Sequence, residues 1–155
     1  MFAGVALPFS DLPLELIEKH GLGCRVHDRG GEQEFRFLLQ ERERVLPVWL
    51  DGQLQIVRWG NRRGQSRTLP FTAWSWLTTL ESGGWAQWEP QPVVIPAMMC
   101  IDNGVWFHVS QGVRGIAVKD ERGRPVVYVL VEPSTHYYQV MTRSVWMPSL
   151  VGELI

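Results

Sequence analysis

Between Val45 and Trp59 an apolar run and a second run rich in apolar residues flank Asp51-Gly52, which is the clearest local signal in the chain. An Asp-Gly pair supplies the two consecutive positive φ angles of a type I′ turn. Val45–Leu50 and Gln53–Trp59 are therefore predicted to form a tight antiparallel hairpin. Leu54, Ile56 and Arg58 fall on one face, Val57 and Trp59 on the other. Pro47 has no amide hydrogen to give a ladder, which assigns the first strand to an edge or a bulge. An isolated hairpin is marginal in water, so further strands must cover it.

Those strands are legible elsewhere in the chain. Phe35–Leu39, Val93–Ile95, Val105–Val109, Val113–Lys119, Val126–Val131 and Tyr137–Thr142 are short apolar runs, and Asn103-Gly104, Gln111-Gly112 and Arg122-Gly123 mark turns between some of them. Two segments have helical spacing instead. Residues 11–21 carry a cap at Ser10 or Asp11, Pro13 in the first turn and Gly21 as the stop. Pro70 opens a second predicted helix running to about Glu81, with Phe71, Trp74 and Leu77 on one stripe and Gly83-Gly84 beyond it. Residues 22–34 read as a polar connection, and 28–44 alternate in charge like a solvated face. The expected fold is α+β: a mostly antiparallel, partly closed sheet or barrel with two or three peripheral helices. With 155 residues, 45% hydrophobic and 20% charged, residues 1–155 read as a single domain able to close its own core. The Pro-rich joint at 89–92 reads as an internal connection.

Several chemistries lack their usual signatures. Cys24 and Cys100 are too few and too distant to define a disulfide framework or a zinc site, and His20, His27, His108 and His136 are scattered singly. No metal or other cofactor is implied. There is no phosphate-binding loop, dinucleotide fingerprint or nucleophile elbow. No run approaches the roughly 18 apolar residues of a membrane span, and the N-terminal stretch has no basic n-region, so a cytoplasmic protein is expected. Asp102 and His108 are the one acid–base pair that a turn could bring together.

One stretch is strongly one-signed. No acidic residue occurs between Asp51 and Glu81, whereas Arg58, Arg62, Arg63 and Arg67 all do. Guanidinium forks on a glycine-containing loop beside Trp59 and Asn61 suit a phosphate backbone, because they take phosphate oxygens bidentately while indole faces stack unpaired bases. Equally, these arginines could solubilise a loop or pair with Glu41, Glu43 or Asp28. The eight Trp of the chain either fill the core or line such a stacking surface.

Four motifs then follow in order: Arg58-Trp59-Gly60; Asn61-Arg62-Arg63-Gly64-Gln65; Val94-Ile95-Pro96-Ala97 with Gly104-Val105-Trp106-Phe107; and Thr142-Arg143-Ser144-Val145-Trp146-Met147-Pro148. Their succession resembles the SOS-response-associated peptidase (SRAP) family, whose members crosslink to abasic sites in single-stranded DNA. That family runs Met-Cys-Gly-Arg, R/K-W-G, N-x-R-x-E, L-I-P-A-x-G-F-Y-E-W and T…H-x-R-M-P. The resemblance implies an SRAP-like fold and a reaction in which an N-terminal cysteine closes a thiazolidine ring on the sugar aldehyde. Here Phe2 stands at the cysteine position, Phe107 at or near the glutamate, and Ser144 at the histidine. None of the three can supply the family's chemistry.

The implied protein is a catalytically degenerate, SRAP-like binder of single-stranded or damaged DNA, with Arg58, Trp59, Asn61, Arg62, Arg63 and Arg67 as the DNA-contacting set. Two alternatives stand beside it. One is a protein-interaction module, with a protein partner or a second copy of itself, that kept only the fold. The other is an enzyme whose nucleophile has moved.

Overall fold

In the computed structural model, residues 1–152 are described. The elements run β1 (Phe2–Pro8), α1 (Leu14–His20), β2 (Val26–Arg29), β3 (Glu32–Leu38), β4 (Val45–Leu50), β5 (Gln53–Trp59), β6 (Trp74–Trp76) and α2 (Leu77–Glu81). They continue with β7 (Gln91–Ile95), β8 (Met99–Asp102), β9 (Val105–His108), β10 (Val113–Lys119), β11 (Pro125–Pro133), α3 (His136–Thr142) and β12 (Trp146–Pro148).

The strands form two sheets. The first is open and antiparallel, in the order β2-β3-β1-β8-β9. In the second, β10, β7, β4, β5 and β11 pair in sequence and β10 returns to β11, which closes a five-stranded barrel. Every neighbour in that ring is antiparallel except β5–β11, which run parallel through Arg58↔Val126 and Trp59↔Val127. Beyond the ring, β6 adds to β11 in parallel and β12 adds antiparallel. The α+β, mostly antiparallel and partly closed architecture expected from sequence is the one observed.

The expected hairpin is present as β4–β5, with Leu50↔Gln53 flanking the turn and Asp51 and Gly52 both at positive φ, 54° and 74°. Val57 and Trp59 share one face, as predicted, and that face is turned to the core, while Leu54 and Ile56 are half-buried against it. Pro47 pairs toward β5, and the other edge of β4 meets β7 at Trp49↔Val94. Where β5 ends, Gly60 is at φ 69°, and a Cβ there would lie 2.5 Å from the Thr72 carbonyl oxygen. Only glycine fits that conformation and that approach together.

The main core is shared by the two sheets. Phe2, Val5, Phe35 and Phe37 from the open sheet pack with Leu46, Val57, Trp59, Ile95, Val127 and Val129 from the barrel. Phe2 meets Trp59 edge-on, with ring centroids 5.9 Å apart. A second cluster covers the outer face of β10 and β11: Ile116, Val118, Val126, Tyr128 and Leu130 pack with Leu69 and Trp85. Alternate residues of β11 thus enter different clusters, which explains its unbroken apolar run.

Several sequence expectations need correction. The helix predicted from Pro70 begins only at Leu77, because Trp74–Trp76 form β6 on the edge of β11 and ladder bonding there overrides the helical spacing. Tyr137–Thr142 is a helix, not a strand. Thr135 caps it by accepting from the Tyr138 N–H at 3.2 Å, and the buried Tyr138 and Thr142 lie one turn apart. Residues 11–21 shorten to α1, with Pro13 at its N-cap and Gly21 left-handed at its end. The polar connection 22–34 contains β2, and β1, β8 and β12 are strands that periodicity did not separate. The charged stretch 28–44 is not simply a solvated face. Glu34 is buried and takes ion pairs from Arg29 and Arg36, and buried Arg25 pairs with Glu41.

Phe2 is completely buried, so Phe2→Ala is expected to lower the unfolding free energy by about 3–5 kcal/mol. Phe71→Ala, at a side chain 67% exposed, should change it by less than about 0.5 kcal/mol. Urea denaturation of the two variants measures the difference, and equal effects would contradict the shared core.

Candidate functional site

Of the positions Phe2, Phe107 and Ser144, Ser144 bonds directly to Asp102, Phe2 faces it across the β1–β8 ladder, and Phe107 reaches the group only through Tyr138. Phe2 lies opposite Asp102 where β1 pairs with β8. Asp102 is fully buried; its Oδ1 accepts from the Ser144 hydroxyl and its Oδ2 from the Tyr138 hydroxyl, each at 2.6 Å. Phe107 stands edge-on to the Tyr138 ring, with centroids 5.3 Å apart. The Met1 α-amino group also reaches this point, donating to Asp102 Oδ1 at 2.5 Å, Asn103 Oδ1 at 2.8 Å and Ser144 Oγ at 2.9 Å. Burial and the hydrogen bond to Asp102 push the Tyr138 phenol far above its ordinary range, so it remains a donor.

This cluster holds a carboxylate, two hydroxyls and an amine, and the Cys100 thiol adds to the forces that raise the Tyr138 phenol. Cys24 is exposed elsewhere and Cys100 is buried in the core. The pairing of Asp102 with His108 does not occur. They sit at opposite ends of the β8–β9 hairpin, where Asp102 faces Val105 and the exposed His108 faces Met99.

The DNA-contacting set divides. Trp59 is 1% exposed and donates its indole N–H to the Ala73 carbonyl, so its face is committed to the core. Asn61 is 2% exposed; its amide donates to the Ser66 and Leu69 carbonyls and accepts from the Ser66 N–H, stapling the 61–69 loop. Arg62 donates to the carbonyls of Leu39, Glu41 and Arg42, which ties this loop to the one before β4. These three residues are structural in this fold. Arg63 and Arg67 are exposed, and Arg58 is half-buried.

Around Arg58 and Arg67 the turn between β10 and β11 completes an arginine-rimmed depression of about 770 Å³, to which Arg122 and Arg124 also contribute. Glu121 also lines it, and the buried Asp120 backs two of its arginines. Asp120 lies 3.5 Å from Arg58 and 3.2 Å from Arg124. Burial opposes its ionisation, but the backbone N–H groups of Arg124 and Arg122 and the Arg124 guanidinium hold its carboxyl below the usual range. Glu121 accepts from the Ser66 hydroxyl at 2.6 Å and the Arg67 N–H at 2.9 Å, clamping the turn to the 61–69 loop. Those two hydrogen bonds draw its carboxyl down to about 2. The segment without acids is therefore partly neutralised from another part of the chain.

Next to the depression is a second cleft, of about 470 Å³, walled by Trp74, Trp76, Trp85, Trp88 and Trp146. Pro70 and Thr72 line this cleft, and Phe71 between them lines the depression. Sequence spacing missed the cleft because its tryptophans come from β6, the 85–88 turn and β12. The Arg122-Gly123-Arg124 stretch was visible only as a turn. Among the described residues, no helix is long and apolar enough to cross a membrane. Compared with protein-family models, curated proteins and solved structures, the chain matches none.

The Glu121 clamp predicts a pH effect. A carboxyl with a folded value of about 2, below an ordinary 4.5, adds stability above pH 4.5 that is lost as pH falls toward 2. Carboxyl-detected NMR titration should show this low midpoint, and Ser66→Ala should move it upward; an unshifted midpoint in the parent chain would refute the clamp.

Proposed function

We propose that this chain binds single-stranded or damaged DNA non-covalently, as a catalytically degenerate relative of the abasic-site-crosslinking proteins that its motif order resembles. The observation that carries the reading is the depression rimmed by Arg58, Arg67, Arg122 and Arg124. Arg67, Arg122 and Arg124 are exposed, Asp120 and Glu121 fix the loops that carry them, and the space between them suits phosphate oxygens. The phosphate-contacting set becomes Arg58, Arg67, Arg122 and Arg124, with exposed Arg63 nearby in sequence.

The non-covalent part of the proposal follows from the Asp102 cluster. The reaction of the crosslinking family needs a thiol and an α-amine on one residue, assisted by an acid and a histidine. Phe2, Phe107 and Ser144 provide an apolar ring, a second apolar ring and a hydroxyl. A buried phenyl ring can neither attack a carbon nor move a proton.

Binding of a labelled single-stranded oligodeoxynucleotide, followed by anisotropy, should weaken steeply between about 50 and 200 mM salt, with a log–log slope near −0.7 per phosphate contacted. The double variant Arg67→Glu, Arg124→Glu should bind at least about tenfold more weakly at low salt. Unchanged affinity in that variant would end the proposal. Separately, Phe2→Cys should yield no denaturant-resistant adduct with an abasic-site oligonucleotide; efficient crosslinking would place the reactive positions elsewhere than Phe107 and Ser144.

A further inference from the structure

Five of the eight Trp in the chain converge on one cleft beside the arginine depression. Its back wall is fixed. Trp85 is 4% exposed, donates its indole N–H to Ser75 Oγ at 2.7 Å and packs on Tyr128 with centroids 4.7 Å apart. Trp74 and Trp146 meet edge-on at 5.4 Å, and Trp88 leans on Trp85 at 5.3 Å. Trp76, 45% exposed, stands at the open side.

The lining specifies the chemistry of an occupant. No Asp, Glu, Lys, Arg or His contributes to it, and its polar groups include the Thr72, Ser75 and Thr79 hydroxyls. Indole faces favour a flat, uncharged, polarisable ring, and the Thr72 and Thr79 side chains of the lining suit a ring with hydrogen-bonding edges. A space of about 470 Å³ is within the size range of small-ligand sites and takes one or two such rings.

Position decides between ring types. Pro70 and Thr72 face the cleft while Phe71, 67% exposed, faces the depression. The Tyr128 hydroxyl holds this ridge by donating to the Pro70 carbonyl at 2.9 Å. A polymer with anionic links and flat neutral rings can occupy both spaces at once across that ridge.

We infer that the tryptophan cleft is a stacking slot for unpaired nucleobases of a strand whose phosphates lie on the arginine depression. The inference takes its ligand from the DNA-binding reading above, and it divides the work between two surfaces. The depression supplies salt-sensitive affinity that ignores bases; the slot supplies salt-insensitive affinity that requires them.

The test compares an oligothymidylate with an abasic strand of equal length and charge, using the full chain. The base-bearing strand should bind about tenfold or more tightly, and the ratio should persist as salt rises. Intrinsic tryptophan fluorescence should be quenched by the first strand and not by the second. Trp76→Ala opens the slot, and Thr79→Trp, at an exposed position, fills it. Either variant should reduce the ratio toward one and leave abasic-strand binding unchanged. Equal binding of the two strands by the parent chain would overturn the slot while leaving the phosphate reading intact. Loss of abasic-strand binding in Arg67→Glu, Arg124→Glu with the base-dependent quench retained would support both surfaces as separate. Quenching by oligothymidylate in the parent and both Trp76→Ala and Thr79→Trp alike would also overturn it.

Discussion

The rest of this structure depends on the burial of β11 on both faces. Val127, Val129 and Val131 enter the core shared with the open sheet, while Val126, Tyr128 and Leu130 enter the outer cluster. A strand without a solvent face must satisfy its backbone entirely through neighbours, since an unpaired buried amide is costly. β11 does so by pairing with β10, β5, β6 and β12. Its parallel contact with β5 closes the barrel, and its contacts with β6 and β12 bring Trp74, Trp76 and Trp146 to one place. The turn that leads into it carries Asp120, Glu121, Arg122 and Arg124. One doubly buried strand thus organises both candidate surfaces.

Charge in this protein is arranged by the fold more than by the sequence. The arginine-rich segment meets Asp120 and Glu121 from a turn more than fifty positions away. Such pairing does not erase the basic character of the depression, because Arg122 and Arg124 arrive on the same turn. It converts a floppy cationic loop into a shaped one. A phosphate meeting guanidinia already held in position forfeits less side-chain entropy than one that must gather them.

How much of this was legible beforehand follows a physical division. The hairpin at Asp51-Gly52 and the strand Val126–Val131 are readable because their signals are local: a turn residue pair and an unbroken apolar run. The helix α3 was misread because Tyr137–Val140 have strand-like composition, while the deciding contact is the Thr135 cap. Trp74–Trp76 carried helical spacing and became a strand because the edge of β11 was open to them, a fact no local window contains. Of the arginines that line the depression, Arg58 and Arg67 stand out in the sequence by charge patterning. Asn61 and Arg62 matched a motif yet turned inward, since an amide and a guanidinium serve backbone carbonyls as well as they serve DNA. Ser144 bonds to Asp102, Phe2 lies opposite it and Phe107 reaches the group through Tyr138, whereas Asn61, from the same motif order, is committed to the 61–69 loop.

Phe2 has one more implication. Its ring fills the seam between the two sheets against Trp59, on the same strand whose backbone lies opposite Asp102. Position 2 is consequently under two masters, the chemistry of the cluster and the packing of the core. A small reactive side chain there would leave the seam partly empty, whatever it gained in reactivity. Substitution at this position is therefore asymmetric: filling the seam is downhill in stability, and vacating it requires compensating bulk elsewhere. Packing of this kind acts as a ratchet on function.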